Sequence, residues 1–506
     1  MGMNQDYEKL QVYLDKQAAL HAALVLLEWD KETLAPEKAM DHTAKCVGIL
    51  SEELYRCLVN EEVPELLMRL QQAEDLTANQ AAVVRVLRKA LAKLERISAR
   101  EQREFSELVS KSGMMWQKAK AKNDFTIFAP YLEQIVAAIR RHNGYQLDGN
   151  EESGTGSLYD ISLNEYEEGF GMKELDAFFA ELKETIVPLL ARIQDSGRRL
   201  DTDFVHRKYD VEKQREFNRW LAEYLGFDFC KGVMGESEHP FTTNLHNSDV
   251  RITTHYYEDN LISGIFSTIH ETGHALYEMN IPDELTLTPV GEGASCGMHE
   301  SQSRLLENMI GRSMDFWEPV FGKLKETFPE QLCDVGLEQF ILAVNCVTPD
   351  LIRTESDELT YCLHIMVRYE AEKKLIEEDY PVAELPKLWN ALYQEYLGVT
   401  PDCDRTGVLQ DVHWSGGMFG YFPSYALGNA FAAQLYHKME QEMDVAQLLR
   451  SGQIGQIMKW LKEHVHRYGA AKPAGEILKL ATGEAFCPAY YVQYLKDKYT
   501  KLYELV

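Results

Sequence analysis

The amino-acid sequence predicts a mainly α-helical protein with one small β-sheet. Three observations carry that reading. Apolar residues recur at three-to-four spacing, with Lys, Arg and Glu between them, across residues 4–143 and again over 173–197 and 210–225. A short stretch at 239–259 is instead β-branched and aromatic, with turn residues inside it. A third stretch, 262–280, carries Ile262, Ile265, Phe266, Ile269, Leu276 and Met279 on one helical stripe and is closed by Asn280 and Pro282.

The first 145 residues read as a helical layer. Tyr7–Leu27, His42–Val59, Val63–Glu74, Asn79–Ser112 and Tyr131–Asn143 each show helical periodicity. A coiled coil is the alternative, but the heptads are not sustained and the apolar face is too broad. Leu27-Glu28-Trp29-Asp30 and the residues to Pro36 read as an acidic, Trp-containing corner between helices. From Gln146 to Gly156 the composition turns to Gly, Ser, Asn and acid, which marks a loop and a sub-domain boundary. The rest, from about residue 160 to 506, holds the groups with chemistry in them, within one large domain spanning 1–506.

At 239–259, His239-Pro240-Phe241-Thr242-Thr243 and Asp249 to Tyr257 read as strands. A strand placed just before the 262–280 helix is either a hairpin covering the core or an edge on which an extended peptide pairs. The helix itself contains His270-Glu271-Thr272-Gly273-His274, an H-E-x-x-H. Residues four apart share a helical face, so His270 and His274 can grip one ion while Glu271 serves a water as general base. Gly273 costs about 1 kcal/mol against Ala inside a helix, and a close approach by another backbone would explain it. A Gly-rich loop, 289–297, leads to a second helix at 299–309. Glu300 in its first turn is the best third ligand, with neighbouring His299 the alternative; Glu278 and Glu307 are candidates for holding the imidazoles. Read blandly, Glu300 is an acid favoured at a helix start.

Further on, Gln410 to Tyr425 is dense in Gly, aromatics and hydrogen-bond donors, and His413, Tyr421 and Tyr425 could stabilise an oxyanion or hold substrate main chain. Arg353 stands among acids in Leu351–Thr360. It either pairs with Glu355, Asp357 or Glu358, or it captures a carboxylate, for which a guanidinium fork is suited.

Composition bounds the partners and the compartment. A net charge of −28 disfavours nucleic acid and anionic membrane. No apolar run reaches the length of a transmembrane helix, and Met1 to Glu8 lacks the pattern of a secretory signal. Nine scattered cysteines without a C-x-x-C pair suit reduced thiols in a cytoplasm.

Several blocks, in order, resemble the M32 family of metallocarboxypeptidases, the thermostable carboxypeptidase Taq type. They are His239-Pro240-Phe241; Asp249-Val250-Arg251-Ile252-Thr253; the H-E-x-x-H at 270–274; His299-Glu300-Ser301-Gln302; Ile352-Arg353-Thr354-Glu355-Ser356-Asp357, with Ser356 in place of the usual Ala; and Gly407 to Trp414 with Gln410, Asp411 and His413. The resemblance implies a mainly α, saddle-like multi-helix zincin fold with a deep central groove and a small sheet beside the metal. It implies a homodimer with one divalent ion per subunit, Zn²⁺ or Co²⁺, and release of single residues from peptide C-termini with broad preference, poor where Pro is at or next to the end. It assigns the ligands to His270, His274 and Glu300 and the base to Glu271. The carboxylate-binding residue falls on Arg353, the oxyanion or substrate Tyr on Tyr425 with Tyr421 second, and the substrate side further includes His239, Arg251 and Gln410. The competing readings are an endopeptidase with the same metal chemistry and a helical binding protein with an inert metal site.

Overall fold

The computed structural model describes residues 4–147 and 156–505; the Gly- and Ser-rich stretch at 148–155 lies outside the described residues. Among the described residues helices dominate, and three strands make one sheet. The chain divides into two compact units. One comprises Met1–Ala92, Asp201–Val344 and Leu435–Ala485; the other comprises Lys93–Leu200, Asn345–Gln434 and Phe486–Val506.

In the first unit, α1 (Gln5–Thr33) runs straight through the acidic Trp-containing segment and ends only at Leu34. Trp29 is therefore a buried helical residue rather than part of a corner. Its ring meets Phe241 edge-on at 5.6 Å and lies 5.7 Å from the Arg251 guanidinium, so α1 is seated on the sheet. Gly235 makes room for it: a Cβ there would sit 3.1 Å from the indole. Farther along α1, Tyr7, Leu10 and Leu14 join Val63, Leu67, Leu70 and the 78–96 helix in one apolar cluster.

The sheet has order β1 (Gly232–Glu236), β3 (Asp249–Thr254), β2 (Thr242–His246), with β1 parallel and β2 antiparallel to the central β3. β1 escapes the sequence pattern because Gly-Val-Met-Gly-Glu has no alternation and two glycines. β2 begins at Thr242 and not at His239, since Pro240 has no N–H for a ladder. Val250 and Ile252 of β3 pack with Ala222 of α2 (Val211–Leu225) and Ala275 and Met279 of α3 (Leu261–Met279). α3 is buried on nearly every side, because β3, β2 and α2 all pack against it.

α4 (Cys296–Arg304) is capped by Ser295, whose Oγ accepts from the Met298 N–H at 3.0 Å. It then widens into a π turn over Leu305–Ile310, an irregularity common where side chains must be re-aimed. α3 and α4 touch at Gly273, where an added Cβ would meet the Gln302 carbonyl oxygen and Ser303 Cα at 2.6 Å each. That close backbone approach is the reason for glycine at this position.

The second unit is built on α5 (Glu358–Glu377), which is buried along most of its length. The segment read as one helix over 79–112 is two, Ala78–Arg96 and Ala99–Lys122, with a capping box between Ser98 and Glu101 at the start of the second. The Ser-x-x-Glu spacing was the available signal.

Gly273→Ala should destabilise the protein by about 1–3 kcal/mol, since the clash is with backbone and cannot be relieved by a rotamer. Gly113, inside a helix with nothing within 4 Å, is the control: Gly113→Ala should be neutral or stabilising by up to about 1 kcal/mol. Urea midpoints of the two variants check this.

Candidate functional site

α3 presents His270 and His274 one turn apart, and the start of α4 brings Glu300 against them. Glu300 Oε2 lies 3.6 Å from His270 Nε2 and 3.4 Å from His274 Nε2. Among the described residues these three form the one group of three His, Cys, Asp or Glu ligand atoms lying within 4.8 Å of one another. All three are buried or nearly so. Two imidazoles and a carboxylate converging in this way match the donor set of a catalytic divalent site that keeps a position open.

The surroundings fix each donor. Arg304, one turn after Glu300, donates Nε–H to Glu300 Oε1 at 2.6 Å and Nη1–H to Glu307 Oε2 at 3.0 Å. Glu300 is thereby left with Oε2 toward the imidazoles. Burial alone would raise the Glu300 carboxyl, but Arg304 and the two imidazoles outweigh it and hold it well below the usual range. Glu307, on the π turn, takes His270 Nδ1 at 2.8 Å and Arg312 Nη2 at 3.1 Å. Burial would lower His270, and the Glu300 and Glu307 carboxylates reverse this and leave it raised. His274 is pushed down to about 3, chiefly by burial and by its two imidazole neighbours; it is neutral, as a ligating imidazole must be. Its Nδ1 lies 2.6 Å from His299 Nδ1. These features fit a bound divalent cation: the Nδ1 atoms are engaged and the Nε2 atoms point together.

Glu271 follows His270 and is buried. Thr242, at the start of β2, donates its hydroxyl to Glu271 Oε2 at 2.6 Å. Burial raises the Glu271 carboxyl, which moves it toward the range useful to a base.

The other residues singled out from the sequence fall in two places. His239 and Arg251 belong to the first unit. His239 is exposed just before β2, and its carbonyl accepts from Ser237 Oγ at 2.6 Å. Arg251 on β3 spends its fork on Asp249, at 2.8 and 2.9 Å. The second unit gathers Arg353, Gln410, His413, Tyr421 and Tyr425. Arg353 sits in a short 3₁₀ turn before α5, and its partner is Asp411, not Glu355, Asp357 or Glu358: Nε and Nη2 reach Asp411 Oδ1 at 3.1 and 2.9 Å. Arg368 on α5 takes Asp411 Oδ2 through Nε and Nη2 at 2.8 and 2.6 Å. Two buried guanidiniums thus share one carboxylate. Burial would raise Asp411, yet Arg368 and Arg353 hold it well below its usual range.

Gln410 anchors the Arg353 turn. Its Oε1 accepts from the Arg353 N–H at 3.1 Å, and its amide donates to Leu351 O at 3.1 Å and Thr406 O at 2.9 Å. The Tyr425 ring lies 5.0 Å from the Arg353 guanidinium, and the Tyr421 ring 5.3 Å from that of Tyr425. His413, whose ring is 5.5 Å from Tyr421, is lowered to about 4, mainly by burial, and is neutral. The loop carrying these rings is tied down by Glu372 of α5, which accepts from Trp414 Nε1, Gly420 N and Tyr159 OH, each at 2.7 Å. Sequence reasoning did not single out Thr242, Arg304, Arg312, Arg368 or Glu372. Only Arg304 carried a signal, its position one helical turn from Glu300.

A model of the carboxypeptidase Taq (M32) metallopeptidase family matches residues 9–499. Carboxypeptidase 1 of Bacillus subtilis (strain 168) is 42% identical over 502 residues, covering 99% of this chain and 99% of its own. Thermostable carboxypeptidase 1 of Thermus thermophilus is 38% identical over 504 residues, covering 98% and 99%. The crystal structure of an M32 carboxypeptidase from Deinococcus radiodurans R1 superposes with a TM-score of 0.95 at 35% identity, over 99% of this chain and 100% of that one.

Asp411→Asn should cost about 3–5 kcal/mol of stability at pH 7, because it strands two buried cations. The sign with pH follows from the lowered carboxyl. The Asp411 contribution is fully present above the unfolded value of 3.8 and is lost as pH falls below it. Urea titrations at several pH values should show that acid-side loss in the parent and its reduction in the variant.

Proposed function

The chain belongs to the carboxypeptidase Taq (M32) family of metallopeptidases and is a metallocarboxypeptidase, and on that premise we propose that it removes single residues from peptide C-termini with broad preference. The observation that carries the chemical reading is the convergence of His270, His274 and Glu300 with Glu271 beside them. His270 Nε2, His274 Nε2 and Glu300 Oε2 would hold the divalent ion. When bound, the ion polarises the scissile carbonyl and acidifies water. The donor set suits Zn²⁺ and Co²⁺ alike.

Glu271 is the base. Thr242 occupies one of its oxygens and leaves the other to accept a proton from the attacking water. That proton then goes to the leaving amine nitrogen as the C–N bond breaks, which frees the C-terminal amino acid. Tyr425, with Tyr421 second and His413 beside them, supplies donors to the tetrahedral oxyanion or to substrate main chain. Arg353 takes the substrate carboxylate. Its support is electrostatic: Arg353 and Arg368 bring two positive charges to the single negative charge of Asp411, so the cluster keeps a surplus for an anion. Gln410 holds the Arg353 turn in place. β2, an outer strand, offers main-chain pairing to an extended peptide, with His239 and Arg251 on the same sheet region. Family membership supports a homodimer, and cysteines with no disulfide among the described residues suit a reducing cytoplasm. No helix among the described residues is long and apolar enough to cross a membrane.

The test uses Zn²⁺- or Co²⁺-loaded protein and one peptide as free acid and as C-terminal amide. Product masses should show stepwise loss of single residues from the acid, with the amide largely spared. Equal internal cleavage of both would replace this reading by an endopeptidase. Glu271→Gln should lower kcat about 10²–10⁴-fold with metal content retained. Arg353→Ala should lower kcat/KM on free-acid peptides by about 30-fold or more, the scale of losing a buried charge partner, and narrow the difference between acid and amide.

A further inference from the structure

The two imidazoles of the metal centre are held in different ways. His270 Nδ1 meets a carboxylate directly, Glu307 Oε2 at 2.8 Å, which is the usual arrangement behind a ligating histidine. At His274 the partner is a second imidazole, His299, with the two Nδ1 atoms 2.6 Å apart. His299 Nε2 in turn lies 2.8 Å from Glu278 Oε1. Glu278 is buried, and its oxygens also accept from Gly293 N at 3.0 Å and from Asn244 Nδ2 at 2.6 Å.

The direction of these bonds follows from what each group can do. Both Glu278 oxygens act as acceptors, Oε1 from Gly293 N and Oε2 from Asn244 Nδ2, so the His299 hydrogen facing Glu278 is on Nε2. For His274 Nε2 to offer its lone pair to the ion that His270 and Glu300 would also hold, the His274 hydrogen is on Nδ1. His299 Nδ1 is then the acceptor, and the chain Glu278, His299, His274 is consistent along its whole length. The His299 ring has little freedom to turn. A Cβ at Gly293 would stand 2.6 Å from its Cδ2, and the Tyr277 ring lies 5.3 Å away. Glu278 and His274 are one turn apart on α3, and His299 precedes Glu300 on α4, so the helix start that delivers one ligand also delivers the holder of another.

We propose that His299, oriented by Glu278, is a positioning residue for the metal ligand His274: it accepts the Nδ1 hydrogen and so fixes both the ring angle and the nitrogen turned to the ion. The inference rests on the metal-site reading given above and deepens it.

Zn²⁺ affinity of protein stripped by chelator, measured by competition with a chromophoric chelator, tests it. The set is the parent, His299→Leu, His299→Asn, Glu278→Gln and His270→Ala as the ligand-loss control. Asn places an amide oxygen near the position of the imidazole Nδ1 and so keeps the acceptor. The expected result is Zn²⁺ binding weakened about 10–100-fold in His299→Leu and largely recovered in His299→Asn, with the Co²⁺ visible spectrum of the Asn variant keeping the parent's shape. Parental affinity in His299→Leu beside a large loss in His270→Ala would overturn the relay and leave the metal centre standing. Weakening in both His299 variants with an altered Co²⁺ spectrum would make His299 a ligand, which also overturns it. Absence of Zn²⁺ binding by the parent would overturn both readings. If metal-free His299→Leu melts far below the parent, Glu278→Gln decides: weakening of about tenfold supports the relay, and parental affinity overturns it.

Discussion

The contact of α3 with α4 at Gly273 sets the other distances of the metal centre. Two helices whose backbones meet at a glycine lie closer than side chains would otherwise allow, and the Gln302–Ser303 backbone sits where a Cβ would be. From that contact it follows that Glu300, at the start of α4, reaches both imidazoles of α3 with a single oxygen. It also follows that His299 comes beside His274, and that the π turn after α4 can return Glu307 to His270.

Charge is arranged differently in the two units. In the first, the acids Glu300 and Glu307 are matched by Arg304 and Arg312, so the ligand carboxylate is ionised and correctly turned before any cation arrives. In the second, Asp411 is outnumbered by Arg353 and Arg368. A balanced cluster is suited to preorganising a ligand set. A cluster left positive is suited to receiving an anion. Both are buried, where electrostatic interactions are stronger than in water and unpaired charge is costly.

Much of this was legible in the sequence because it depends on local spacing. The three-to-four repeat located the helices, the i,i+4 rule placed His270 beside His274, and the oddity of Gly273 inside a helix foretold a close neighbour. Glu300 stood out at a helix start after a Gly-rich loop and Arg353 as a guanidinium among acids, and the family resemblance named the same two residues. What was not legible depends on tertiary approach. Trp29 looked like a corner because its neighbours are acidic, yet it is a helical residue packed on the sheet. The partner of Arg353 is 58 residues away rather than among the adjacent acids, and no spacing rule reaches that far. Thr242 meets Glu271 only because β2 pairs with β3 and lies along α3. β1 was invisible since its two glycines erase the alternation that marks a strand.

A crystal structure of the zinc-loaded protein, with anomalous differences recorded on both sides of the zinc edge, tests the metal centre directly. One zinc peak per chain is expected, bonded to His270 Nε2, His274 Nε2 and Glu300 Oε2, with Glu271 beside it but not bound and His299 Nδ1 still against His274. A peak ligated by His299 or Glu271, or zinc located only at other residues, would contradict that assignment.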